Sequence, residues 1–179
     1  IKKKGSVYNW YAAKQIARIL FRDEKKKEAI IYLDKNFNKI NNPNIYTIYD
    51  FADFLKNNEK FKESIIQYSR VLKAINKDHY LYAEASEGRG IAYERSDQWK
   101  KAENDFLNSL KASPNQPYVI NYLAYSWIEK GLYIEKSLKM LEKANELKKN
   151  DGYIIDSLGW ALFKLKKYKK AKEYLELAV

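Results

Sequence analysis

Small residues recur along this sequence at intervals of about 34 to 38 residues. They are Ala17, Ala52, Gly90, Ala124 and Gly159. Twelve positions later a second small residue follows in four units, namely Ala29, Ser64, Ala102 and Ala171. In the fourth unit this position falls on Lys136, or on Ser137 if one residue is inserted there. A period of this length is typical of stacked structural repeats.

Large residues keep the same register. Sixteen positions after the first small residue, allowing for that inserted residue, stand Leu33, Tyr68, Phe106, Leu141 and Leu175. Small and bulky residues that alternate at helical spacing predict two antiparallel helices per unit, here called helix A and helix B. Glycine inside a helix costs roughly 1 kcal/mol relative to alanine. Gly90 and Gly159 therefore predict that helix A approaches helix B closely. Arg89 breaks the apolar rule at the position before the small residue.

Two stretches, "GIAYERSDQWKKAENDFLNSLKASP" (90–114) and "IIDSLGWALFKLKKYKKAKEYLELA" (154–178), resemble the tetratricopeptide repeat. The resemblance implies an all-α fold, a right-handed superhelical solenoid of helix-turn-helix repeats in one array over residues 1–179. We expect units at about 10–44, 45–82, 83–116, 117–151 and 152–179. The first is degenerate, with Lys26 where an aromatic residue is usual, and the last is truncated. The extra residues "HYLY" precede the third.

A narrower resemblance concerns "QPYVINYLAYSWIEKG" and "NDGYIIDSLGWALFKL", which are similar to a segment of longer proteobacterial tetratricopeptide proteins. It implies that further repeats flank this sequence and that the intact protein lies in the cell envelope. The chain contains no cysteine, so redox chemistry gives no independent indication of the compartment.

The sequence offers little chemistry for catalysis. His79 is the only histidine, so histidine-based metal sites and Ser/His nucleophiles have almost nothing to work with. The G-x-G of "EGRG" lacks a third glycine and a phosphate-binding lysine, and its glycines are better interpreted as helix-packing positions. Acidic pairs such as Glu84 and Glu87 leave acid/base work open, although a solvated helix face is the default. We predict no enzyme, no cofactor and no metal site.

The resemblance also implies where a partner would bind, because the groove of such arrays is lined by positions 2, 5, 9, 12 and 13 of each unit. The partner-binding candidates are Tyr46, Tyr49, Asp53, Glu84, Glu87, Tyr118, Asn121, Tyr125, Tyr153, Asp156 and Trp160. Aromatic residues are enriched at the groove positions relative to the 15% of the whole chain, and acidic and basic residues balance. A balanced groove argues against nucleic acid there, because phosphates need a basic track. We predict a scaffold that binds a peptide segment or partner helix.

Two other functions remain open. The net charge of +11 and the run "KLKKYKKAK" allow RNA or an anionic surface to bind convex lysines. We expect Tyr168 and Ala171 of this run to face inward and its lysines outward. The apolar end at Leu175, Leu177 and Val179 suggests instead a self-assembling spacer, so a homo-oligomer is possible. No run of about 18 apolar residues predicts a membrane span.

Overall fold

The computed structural model describes residues 7–178, with side chains from Asn9 onward. Ten α-helices and no strands occupy these residues. They are α1 Val7–Arg22, α2 Lys26–Phe37, α3 Ile45–Asn57, α4 Phe61–Ala74, α5 Leu81–Glu94, α6 Trp99–Ala112, α7 Pro117–Glu129, α8 Ile134–Leu147, α9 Gly152–Lys164 and α10 Tyr168–Leu177. Each odd-numbered helix packs on the even-numbered helix that follows it, and α4, α6 and α8 each contact the next odd-numbered helix. The predicted all-α solenoid is confirmed.

The odd-numbered helices are the A helices, and they form a continuous surface. Besides their B-helix partners, α3 contacts α5 and α7 contacts α9. We call the surface built by α1, α3, α5, α7 and α9 the groove.

The turn from helix A to helix B reverses the chain within three or four residues. Each of these turns contains a non-glycine residue with positive φ: Glu24, Glu59, Asp97, Tyr133 and Lys166. Side chains other than glycine rarely adopt this left-handed backbone, so the turns carry local strain that the packing of the helix pair offsets. The helices themselves stay regular on either side.

The repeating small residues lie where the helices come closest. A Cβ on Gly90 would lie 2.8 Å from the Phe106 ring, and one on Gly159 would lie 2.7 Å from Leu175 Cγ. Both contacts join helix A to helix B of the same unit, as predicted. Ser137 is fully buried whereas Lys136 is exposed, so the fourth unit does contain the inserted residue.

Gly88 makes a contact that the repeat pattern does not reveal. Its Cβ would lie 2.3 Å from the Tyr68 ring, which belongs to α4 of the preceding pair. Tyr68 is fully buried. Both glycines of "EGRG" are therefore helix-packing positions, but Gly90 faces its own pair and Gly88 faces the neighbouring one.

Arg89, the polar exception in the repeat pattern, has polar partners. Its Nε and Nη2 donate to the two carboxylate oxygens of Asp105 at 2.6 and 2.8 Å, and its Nη1 donates to Ser69 Oγ at 3.1 Å. Asp105 is buried in α6 and Ser69 lies in α4. Burial opposes the charge of Arg89, but the hydrogen bonds to Asp105 raise its pKa. One side chain thus ties α5 to both helices beside it.

The expectation that Tyr168 faces inward is wrong. Tyr168 is the first residue of α10, it is 58% exposed, and its ring meets the edge of Phe163 at the end of α9. At this position the A helix is ending, so the contact with Phe163 leaves most of the Tyr168 side chain exposed. Ala171, one turn further on, is buried as expected, and Val179 lies outside the described residues. Helix α5 begins at Leu81, two residues before the predicted start of its unit.

Candidate partner-binding groove

A cleft of about 360 Å³ opens in the groove between α5, α7 and α9. Four of the predicted partner-binding residues line it: Asn121 and Tyr125 from α7, and Tyr153 and Asp156 from α9. Tyr153 and Asp156 lie three positions apart and therefore on one face of α9, as Asn121 and Tyr125, four apart, do on α7. The two helices are in contact, so these two faces form adjoining walls.

Tyrosine rings form the accessible walls of the cleft. Tyr153 is 80% exposed and Tyr125 is 38% exposed. Burial, followed by the carboxylates of Glu129 and Asp156, raises the pKa of Tyr125. The carboxylates of Glu129 and Asp156 therefore lie close enough to the Tyr125 hydroxyl to disfavour its ionisation.

Two acceptors in the cleft have no hydrogen-bond partner among residues 9–178. Asn121 Oδ1 is buried without one, and the exposed carboxylate of Asp156 makes neither a hydrogen bond nor a salt bridge. The other two carboxylates are engaged. Glu129 accepts from Trp160 Nε1 at 2.6 Å, and Glu94 accepts from the Tyr122 hydroxyl at 2.9 Å.

Tyr122, Ser126, Lys130 and Ser157 also line the cleft, although they fall outside the groove positions used for the prediction. Burial and the carboxylate of Glu94 raise the pKa of Tyr122 to about 12. The hydrogen bond to Glu94 places Tyr122 on the side of α7 that faces α5, and the only signal for it in the sequence is its position next to the predicted Asn121.

A second group of predicted residues meets between α3 and α5. Tyr49 is half-buried, and its ring meets Tyr68 edge-on at 5.8 Å. Burial, then the carboxylates of Glu84 and Asp53, raise its pKa. Asp53 accepts from Lys56, Asn57 and the Tyr68 hydroxyl at 2.7, 3.0 and 3.2 Å. This part of the groove is acidic, and Tyr49 is more enclosed than Tyr125 and Tyr153 of the cleft.

Glu84 and Glu87 complete this acidic group. Neither makes a hydrogen bond or salt bridge within the described part of the chain. Burial raises the pKa of Glu87 while the charge of Lys56 acts against this, and Glu84 and Asp53 add to the increase. Acids and bases balance by number along the groove, but Lys14 is paired with Asp50 and Lys56 with Asp53. Glu84, Glu87 and Asp156 are therefore left without an ion-pair partner.

Tyr118 and Tyr46 are held by neighbouring side chains. The Tyr118 hydroxyl donates to Asp151 Oδ2 at 2.9 Å and accepts from Lys148, whose Nζ lies 4.1 Å from the ring centroid. Although burial opposes it, the hydrogen bonds from Tyr118 and Lys148 lower the pKa of Asp151. The Tyr46 ring stacks on Tyr80 with centroids 6.2 Å apart.

Trp160 is half-buried and is also engaged. In addition to the bond with Glu129, its ring stacks on Phe163 at 5.3 Å and carries Lys164 Nζ 4.7 Å from its centroid. The eleven predicted residues thus form three groups. Four line the open cleft, four form the acidic stretch, and the remaining three are aromatic residues that already contact other side chains of this chain. Within residues 7–178 there is no cluster of three or more potential metal ligands, and no helix is long and apolar enough to cross a bilayer.

Comparison with known proteins defines the class. The tetratricopeptide repeat model matches residues 154–179. A TPR repeat-containing protein of Pseudomonas aeruginosa is 24% identical over 129 residues, which cover 72% of this chain and 21% of that protein. The chain thus spans about a fifth of the length of this curated relative.

Solved structures share the fold. MamA 41-end from Desulfovibrio magneticus RS-1 superposes with a TM-score of 0.73 at 20% identity, covering 94% of this chain and 92% of that solved chain. A protein of Podosopora anserina with nearly identical TPR-like repeats superposes with a TM-score of 0.74 at 13% identity, covering 99% and 95%. These similarities define an α-solenoid of stacked helix pairs. Residues 154–179 match the tetratricopeptide repeat, and the chain shares the fold of tetratricopeptide repeat proteins, which in general supports protein–protein interaction.

Proposed function

We propose that this chain is a non-enzymatic scaffold whose groove binds a protein partner as an extended peptide segment or a helix. The observation that carries the proposal is the cleft between α7 and α9. It presents two exposed tyrosines together with a buried acceptor and a carboxylate that no described side chain satisfies.

The physical argument begins with the tyrosines. A tyrosine supplies a large contact area at a low cost in side-chain entropy, and aromatic residues dominate the energetic centres of protein interfaces. A folded protein normally satisfies its buried polar groups, so the unpartnered Asn121 Oδ1 favours a donor that arrives from outside. A backbone N–H or a polar side chain of a partner would supply it.

The size of the cleft fits part of a partner rather than all of it. A cleft of about 360 Å³ lies at the small end of ligand sites, enough for one or two side chains. The acidic stretch around Tyr49 lies further along the same groove, on α3 and α5. A partner that spans both regions would meet the unpaired Glu84 and Glu87, so we expect it to be basic or rich in hydrogen-bond donors.

Crosslinking and capture from the native host tests the proposal. The wild-type protein is compared with the Tyr125→Ala, Tyr153→Ala double variant, and circular dichroism checks that both have the same helix content. The matched control is Ile31→Ala, Ile66→Ala, which removes two exposed apolar side chains, 66% and 58% accessible, from the B helices α2 and α4. We expect one partner to be lost with the tyrosine variant and retained with the control.

Two other results would contradict the proposal. A partner retained by the tyrosine variant but lost in Lys169→Glu, Lys170→Glu would favour an anionic surface or RNA on the exposed lysines of α10, and its binding should then fall steeply with salt. Light scattering that shows reversible self-association, unchanged in the tyrosine variant, would favour a structural array.

A further inference from the structure

We infer that the cleft between α7 and α9 is a subsite for an arginine side chain of the partner, held by the Asp156 carboxylate, the Tyr125 and Tyr153 rings and Asn121 Oδ1. This inference rests on the proposed function and specifies the chemistry of the ligand. The inference is based on two other places in the chain where an aromatic ring and a carboxylate bind a cation.

At two other places in the molecule, an aromatic ring beside a carboxylate has a cation of the chain itself. Lys148 lies over Tyr118 and forms a salt bridge of 3.2 Å with Asp151. Arg89 lies over Tyr93, with its Cζ 5.7 Å from the ring centroid, while its guanidinium binds Asp105. At Tyr118 and at Tyr93, a ring, a carboxylate and a cation thus lie together.

Two cations of the chain, Arg95 and Lys130, line the cleft beside its rings and carboxylates. Neither of them forms a salt bridge with Asp156, which has no ion-pair partner among the described residues. Lys130 Nζ lies 5.0 Å from the centroid of the Trp99 ring, and Arg95 Nε lies 3.6 Å from Glu94 Oε2. A cation from a partner would complete the arrangement that the array completes internally at Tyr118 and Tyr93.

The unsatisfied groups favour a guanidinium over an ammonium. A guanidinium offers five N–H donors in one plane, so it can bind a carboxylate in a bidentate manner, donate to an amide oxygen and stack on a tyrosine at the same time. Asp156, Asn121 Oδ1 and the exposed Tyr153 ring are three such acceptors around one cleft. The Arg89–Asp105 pair shows the bidentate geometry within this same chain.

The test is NMR titration of the isotope-labelled chain with three capped peptides that differ in one residue: Gly-Arg-Gly, Gly-Lys-Gly and Gly-citrulline-Gly. Citrulline matches arginine in shape but is neutral. We expect saturable shifts at Asn121, Tyr125, Tyr153 and Asp156 with the arginine peptide. Affinity should be about tenfold lower for the citrulline peptide and severalfold lower for the lysine peptide, because charge-assisted bidentate bonds are lost.

Asp156→Asn keeps the shape and removes the charge, and it should weaken arginine-peptide binding about tenfold. The matched control is Glu146→Gln, an exposed acid of α8 without a partner among the described residues, which should leave the affinity unchanged. Equal affinity for the arginine and citrulline peptides, equal affinity for the arginine and lysine peptides, or an arginine-peptide affinity that is unchanged in Asp156→Asn would each overturn the inference.

Failure of the inference and failure of the proposed function are distinguishable. If the Tyr125→Ala, Tyr153→Ala variant loses the partner but the arginine peptide is not preferred, the groove binds a partner and the arginine subsite is wrong. If the arginine peptide binds as expected but capture of the partner is unaffected by the tyrosine variant, the subsite stands and the proposed function is wrong.

Discussion

The junction between α4 and α5 and the cleft between α7 and α9 use the same kinds of residues in opposite ways. At the junction, Tyr68 is fully buried, its hydroxyl donates to Asp53, and its ring lies against the bare backbone of Gly88. The guanidinium of Arg89 is held there by Asp105. Tyr68 and Arg89 thus both have polar partners within the chain.

In the cleft the tyrosines are exposed and the acceptors are unpaired. Tyr153 lies open to solvent, Asp156 has no ion-pair partner and Asn121 Oδ1 has no donor among the described residues. Groups satisfied within the fold contribute to stability, whereas groups left unsatisfied are available to a ligand. Substitutions at the junction should therefore lower stability, and substitutions in the cleft should lower binding with little effect on stability.

The largest effect should come from breaking the buried ion pair at the junction. Asp105→Ala leaves the half-buried guanidinium of Arg89 with only Ser69 Oγ to receive its hydrogen bonds. We expect a loss of about 3 kcal/mol in the free energy of unfolding, measured by urea denaturation. Arg89→Met, Asp105→Leu removes both charges and should recover most of this loss. A loss below about 1 kcal/mol in Asp105→Ala would show that the pair does not hold the junction together.

The next effect tests the close approach at Gly88. Alanine there would place Cβ 2.3 Å from Tyr68 Cζ, and Tyr68 has no exposed surface into which it could retreat. We expect Gly88→Ala to cost about 2 kcal/mol even though alanine is the better helix former. In a Tyr68→Leu background the same substitution should cost nothing or stabilise, and thermal denaturation of the four proteins measures the coupling. An unchanged cost in that background would contradict the assigned contact.

The difference between these regions also explains what the sequence could predict. Gly90 and Gly159 contact helix B of their own unit at a fixed separation, so the repeat pattern predicts both their role and their partners. Gly88 contacts Tyr68 of the preceding pair, across an inter-unit segment whose length varies, so only its role as a packing glycine was predictable. The pattern likewise marked Arg89 as an exception but not its partner.

The sequence predicts which positions of the candidate site face the groove, but not which side chains there are exposed and free of contacts within the chain. Tyr46, Tyr118 and Tyr153 all occupy the second position of a unit. One stacks on Tyr80, the next is tied to Lys148 and Asp151, and the third is 80% exposed. The position within a repeat predicts on which face of helix A a side chain lies. Residues of the neighbouring loops determine whether that side chain is already engaged in contacts within the chain.

A smaller effect tests whether Trp160 contributes to stability, as the residues of the junction do, or only to binding, as those of the cleft are expected to do. Its Nε1 donates to Glu129 at 2.6 Å and so connects α9 to α7. Trp160→Phe keeps most of the ring and removes this donor, and we expect a loss of about 1 kcal/mol in stability. Tyr153→Ala should change stability by no more than about 0.5 kcal/mol, because the side chain is exposed. Urea denaturation compares the two, and equal losses would remove the distinction between engaged and open aromatic residues.

The smallest effect concerns Glu87, where stability and binding should oppose one another. Burial raises the pKa of Glu87 in the folded chain, so its ionised form opposes folding at neutral pH. A raised carboxyl pKa contributes stability that is present below the unfolded-state pKa, about 4.3, and is lost as the pH rises through the folded-state value. Glu87→Gln should therefore stabilise the chain by about 0.5 kcal/mol or less at pH 7, with the gain disappearing below about pH 4.

The control for this prediction is Glu146→Gln, which should leave the pH dependence unchanged because this acid is exposed and has no partner within the described residues. Urea denaturation of both variants and the wild type at pH 4 and pH 7 measures the difference. A Glu87→Gln protein that is less stable than wild type at pH 7 would mean that the carboxylate is satisfied inside the fold, as Asp105 is. A Glu87→Gln protein that is more stable than wild type but binds a basic partner more weakly would show that Glu87, like Asp156, serves ligand binding. Its carboxylate would then lower the stability of the free chain and find its partner only in the ligand.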